Sequence, residues 1–124
     1  MDTIIARQEV LSLPARGSVN LLHFHQGMVL LVGADAVALY RDRRAVEDPL
    51  ANGLVGYQPI PDALCPLYLE PDGYVAEQSS GYIGLNSGAV LFVRPDGVAL
   101  YASGEDALRN RDCHWVIPFP PLNA

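Results

Sequence analysis

The sequence predicts an all-β domain: a small antiparallel sandwich or barrel formed by internal duplication of a hairpin unit. Three observations predict it. First, GMVLLVGADAVALY at 27–40 returns as GAVLFVRPDGVALY at 88–101. Nine of the fourteen positions are identical, from Gly27/Gly88 through Asp35/Asp96 to Tyr40/Tyr101. Second, short apolar runs alternate with turn residues at regular intervals. Third, Pro-Asp-Gly occurs at 71–73 and again at 95–97. Proline fixes φ, aspartate bonds its own backbone and glycine accepts positive φ, so each site is a turn with a mechanism.

The elements follow in order. Ile4–Leu13 reads as a strand closed by Pro14 and Gly17, and Val19–His25 as a second. Met28–Val32 and Ala89–Val93 are continuously apolar, which suits strands covered on both faces. These belong in the centre of the fold, and Thr3–Leu13 and Val75–Gln78, which alternate, belong at edges. Tyr40 and Tyr101 end their strands with a ring that packs inward and a hydroxyl that reaches water. A third hairpin is expected at Cys65–Glu70 and Tyr74–Glu77. Residues 41–53 read as a polar loop or short helical turn. Residues 103–111 carry a serine cap, early acids and late arginines, which suits a short helix. Leu54–Gln58 and His114–Ile117 close each copy, and Pro59, Pro118 and their neighbours stop pairing. The competing architecture is α+β, with two short helices, at Arg44–Leu50 and Glu105–Arg111, covering the sheet.

The chain is one domain, 1–124, with repeats at approximately 19–60 and 80–121. Val55 and Pro59 fall over Val116 and Pro120 at the repeat spacing. Two copies are too few for a solenoid. A half this small cannot bury its own apolar strands, so it packs on its twin.

Composition bounds the function. The formal net charge is -6 and every basic residue is arginine. Acidic balance argues against nucleic acid, whose affinity comes from Lys and Arg. No run reaches the length of a membrane helix, and the N-terminus has no basic region ahead of an apolar run, so no signal peptide is expected. Cys65 and Cys113 read as two buried, reduced thiols in a cytoplasmic protein.

Candidate chemistry centres on His23 and His25. At i and i+2 on a strand they share a face, and imidazole suits zinc, iron, copper or nickel. Gly17, five residues, then His23-x-His25 resembles the first half of the cupin metal motif. That resemblance implies a metal-dependent β-barrel enzyme or sensor holding one transition metal such as Zn or Fe. The motif's following glutamate has no counterpart, since 27–30 read Gly-Met-Val-Leu. His114 is the candidate third ligand. Over His23 and His25 the second copy has Gly84 and Asn86, so such a site is asymmetric. Arg41, Arg43 and Arg44 form a candidate partner-binding patch, because arginine forks recognise carboxylates and phosphates; the plainer reading is a solvated loop. Asp35 and Asp96 read as turn residues rather than a catalytic pair. No catalytic residue is assigned, and no phosphate loop, dinucleotide fingerprint, CxxC, HExxH or nucleophile elbow is present.

The preferred expectation is a non-catalytic binding or regulatory accessory protein, without cofactor, acting through protein contacts and self-associating as a homodimer. The alternatives are the metal-dependent cupin-like protein and a binder of small apolar ligands.

Overall fold

The repeated phrase forms the same hairpin twice. In the computed structural model, which describes residues 5–13, 17–24, 26–48, 53–66, 75–79 and 81–120, Val29–Val32 (β3) pairs with Ala36–Tyr40 (β4). Val90–Arg94 (β8) pairs with Gly97–Tyr101 (β9) in the equivalent register. The hairpins that lead into them also match. Phe24 donates to Met28 O at 2.9 Å and Leu85 to Ala89 O at 2.8 Å. Gly27 and Gly88 take φ of 99° and 98°, a left-handed turn that side chains resist.

Around these hairpins the order of elements occurs twice. The first half is Ile5–Leu13 (β1), Gly17–Phe24 (β2), β3, β4, Arg43–Glu47 (α1) and Leu54–Pro59 (β5). The second is Val75–Ser79 (β6), Tyr82–Leu85 (β7), β8, β9, Gly104–Leu108 (α2) and Trp115–Pro118 (β10). Each half is one antiparallel five-stranded sheet, ordered β1-β2-β3-β4-β5 and β10-β9-β8-β7-β6. The continuously apolar β3 and β8 are the central strands, and the alternating β1 and β6 are edges, because only a strand covered on both faces needs apolar residues at every position. The sheets form a sandwich, not a closed barrel.

One set of alternating residues fills the space between sheets: Leu22, Leu30 and Leu39 from the first meet Ile83, Leu91 and Leu100 from the second, all 0% exposed. The other set faces outward. On sheet one it is Val19, Leu21, Val29, Leu31, Ala38 and Tyr40, with Ala45 of α1 among them. On sheet two it is Val90, Ala99 and Tyr101, with Ala107 of α2. Both helices have five residues, each capped by a side chain: Asp42 accepts from Ala45 N and Ser103 from Asp106 N. The polar stretches at 41–53 and 103–111 are thus partly helical, and they cover the outer faces.

Four expectations need correcting or placing. Tyr40 and Tyr101 pack on the outer faces, and the Tyr101 hydroxyl donates to Asn110 Oδ1 at 2.5 Å. With Tyr101 wholly buried, that partner replaces water. Cys113 is exposed and Cys65 half-buried, since both lie outside the strands that build the core. The expected hairpin around 71–73 falls largely outside the described residues; Cys65 closes a single turn of 3-10 helix, and β6 pairs with β7. The last strand is displaced relative to the repeat. Ala36 pairs with Pro59 but Gly97 pairs with Pro118, two residues short of the repeat spacing; an irregularity in β5 opposite Leu39/Tyr40 accounts for one of the two. Among the described residues, no helix is long and apolar enough to cross a membrane.

Candidate functional site

The two halves share a backbone plan, so places where their outer faces differ in chemistry stand out. The first is a charged cluster on sheet one. The register sets Glu9 of β1 opposite Leu21 and Arg7 opposite His23, and alternation puts all four on the outer face. Helix α1 then brings Arg43 over the same face. His23 Nε2 lies 2.8 Å from Glu9 Oε1. Arg43 donates from Nε to Glu9 Oε1 at 3.2 Å, from Nη2 to Oε2 at 3.3 Å and from Nη1 to Glu47 at 2.9 Å. An ionised carboxylate only accepts, so His23 donates from Nε2. At the positions of Glu9, His23 and Arg43 the second half has Ser79, Gly84 and Gly104.

The fork of Arg43 is the main cause that holds the Glu9 carboxyl below its ordinary value; burial opposes it and the His23 contact adds to it. Arg43 is raised in return, chiefly by Glu9. A carboxylate with a depressed folded value contributes stability above its unfolded value and loses it as pH falls through the folded one. Glu9→Gln is therefore expected to cost about 1–2 kcal/mol at neutral pH. In urea denaturation across the acid limb, the gap between this variant and wild type should close below the ordinary carboxylate range. A gap that stays constant with pH contradicts the assignment.

The residues singled out in the sequence are distributed as follows. His23 and Arg43 come together through Glu9. Arg41 and Arg44 point to solvent, the latter's side chain 84% exposed. His25 lies outside the described residues. His114 is exposed in the segment between α2 and β10, its amide bonded to Leu100 O at 2.9 Å. Among the described residues, no group of three His, Cys, Asp or Glu side chains forms that could hold a metal. Asp96 forms a two-pronged pair with Arg94 across its turn, at 3.0 and 2.9 Å. Burial, and secondarily the negative charge of Asp62 and Asp35, pushes the Cys65 thiol up and away from reactivity.

The second difference is aromatic. On sheet one, Leu21 and Leu31 are paired neighbours, 0% and 2% exposed. Their equivalents on sheet two are Tyr82 and Phe92, also paired. These rings stack at 4.4 Å with planes 2° apart, and both stay half-exposed. The Tyr101 ring lies tilted against Phe92 at 6.5 Å, and half-buried Val116 packs on the same cluster. Leu108 on α2, the helix over this face, is 73% exposed. The sequence reading missed both Glu9 and this pair; the available signal was the replacement of two leucines by two aromatics at the repeat spacing.

A cleft of about 460 Å³ also opens on sheet one, lined by Val19, Leu31, Gly33, Ala34, Asp35, Ala36 and Tyr57. The space between the sheets is occupied by side chains. No protein-family model matches this chain, and no curated protein or solved structure matches it.

Proposed function

We propose that this is a cytoplasmic, non-catalytic binding protein that acts through contact with another protein, using the outer face of sheet two. One observation carries the reading: a stacked, half-exposed Tyr82–Phe92 pair stands where the sister sheet has sealed leucines. Aromatic rings are enriched at protein interfaces, where they bury much area at little entropic cost. An exposed thiol at Cys113 suits a reducing compartment.

A photoreactive aromatic residue placed at Phe92 in cells tests this. It is expected to join the chain to a discrete protein, and the same residue at Tyr57, exposed on the other sheet, is not. Tyr82→Ala or Phe92→Ala should weaken that complex by about 2 kcal/mol or more, with the fold retained. No adduct at 92, or an equal one at 57, sinks the proposal.

A metal-binding reading has one observation in its favour. Histidines that ligate metals through one nitrogen commonly donate the other N–H to a carboxylate, as His23 does to Glu9. Elemental analysis with native mass spectrometry decides it: a stoichiometric transition metal lost in His23→Ala supports a site, and metal-free protein removes it.

A further inference from the structure

We propose that the cleft on sheet one binds a small free molecule carrying a guanidinium group, held by the Asp35 carboxylate. The sister half displays the chemistry. There Arg94 forks onto Asp96 at 3.0 and 2.9 Å. Alternation along β8 puts Arg94 on the outer face with Phe92, and its side chain is only 27% exposed. At the repeat spacing Asp96 corresponds to Asp35, and Arg94 to Gly33. The first half therefore keeps the acid and lacks its cation. Among the described residues, the Asp35 carboxylate has no hydrogen-bond or ion-pair partner, while its backbone oxygen accepts from Ile60 N at 2.8 Å.

The space beside the missing arginine is the cleft of about 460 Å³. Gly33 lines it, and a Cβ built there would stand 3.9 Å from Leu31 and 3.9 Å from Val19, which line it too. An arginine at this place would thus enter the cleft. Val19 and Leu31 supply an apolar floor, Tyr57 a half-exposed ring and Asp35 the charge. A substituted guanidinium answers all three. Its two parallel N–H groups match a carboxylate, as those of Arg94 match Asp96. Its flat, weakly hydrated face suits an aromatic ring, and its hydrocarbon part suits the floor. An ammonium is a point charge without the fork. A cleft of this volume falls in the range that encloses small molecules. It lies on sheet one, so it stands or falls apart from the protein-binding face on sheet two.

Titration of the isotope-labelled full chain with n-butylguanidinium, followed by amide NMR, tests it. Saturable shifts are expected at residues 31–36 and 57, with a dissociation constant of about 1 mM or tighter for a fragment of this size. The neutral n-butylurea, and n-butylammonium, which lacks the fork, should each bind roughly tenfold more weakly or worse. Asp35→Asn should weaken n-butylguanidinium by the same factor, and Asp35 is exposed, so the fold is retained. Gly33→Arg should rebuild the pair seen on sheet two, fill the cleft and abolish the shifts. Its Cβ would meet nothing closer than 3.5 Å, so the hairpin accepts it. No saturable shift, shifts centred elsewhere, or equal binding of n-butylurea or n-butylammonium overturns the proposal. So does undiminished binding by Asp35→Asn. Tighter binding of a capped Gly-Gly-Arg-Gly-Gly peptide than of n-butylguanidinium also overturns it, by assigning the cleft to an arginine of another protein.

Discussion

Gly97→Ala is expected to be among the most damaging single-atom additions to this protein, at about 3 kcal/mol. A Cβ built on Gly97 would stand 2.3 Å from Ile117 O and 2.9 Å from Pro118 Cα. Those are backbone atoms of the strand bonded to β9, so no rotamer change relieves the contact. β10 would have to withdraw, taking with it the seat of Ile117 in the core and the Phe119 amide bonded to Asp96 O. The sister half supplies the control. Ala36 occupies the equivalent place, paired with Pro59, and carries its methyl buried. Ala36→Gly should cost only about 0.5–1 kcal/mol, the entropic cost of a strand glycine. Urea denaturation of the two variants should show midpoints far apart with similar slopes. Equal midpoints would mean that β9 and β10 are not paired as described.

The second large effect lies where the two sheets meet at β5 and β10. A Cβ on Gly56 would stand 2.5 Å from Ile117 Cγ2. Isoleucine is branched at Cβ and stiff at χ1, so this methyl cannot swing clear without leaving its rotamer. Gly56→Ala is expected to cost about 2–3 kcal/mol, and Gly56→Val more, seen as a lowered urea midpoint. The absence of a side chain at Gly56 lets the sheets approach here; Trp115, which donates from Nε1 to Pro59 O at 2.9 Å, fastens the same edge.

The architecture was legible because its determinants are local or repeated. Continuously apolar β3 and β8 announce central strands, and the turn residues between them announce hairpins. What was not legible depends on pairs far apart in sequence. Glu9 meets His23 and Arg43 across separations of 14 and 34 residues, and within β1 it reads as an ordinary polar residue of an alternating edge. One residue of the two-residue displacement of β10 comes from an irregularity in β5 that no turn residue marks. The burial of Tyr101 depends on Asn110, held at a left-handed φ of 49° after α2, which a cap signal in the sequence does not specify. The aromatic pair at 82 and 92 was visible as letters, but its exposure was not, since the equivalent Leu21 and Leu31 are buried on a sheet whose covering helix is equally short.

The fold is two duplicated sheets packed face to face, meeting at β5 and β10. A double-mutant cycle between Gly56 and Ile117 tests this most directly, because the two residues are distant in sequence and belong to different sheets. Ile117→Ala removes the methyl that a side chain at 56 would strike, at a cost of about 2–4 kcal/mol alone. If the sheets meet as described, the double variant Gly56→Ala, Ile117→Ala is less destabilised than the sum of the singles by about 1–2 kcal/mol, because the added methyl occupies vacated space. Additivity within about 0.5 kcal/mol would mean the residues do not touch, and the packing of the two halves would have to be redrawn.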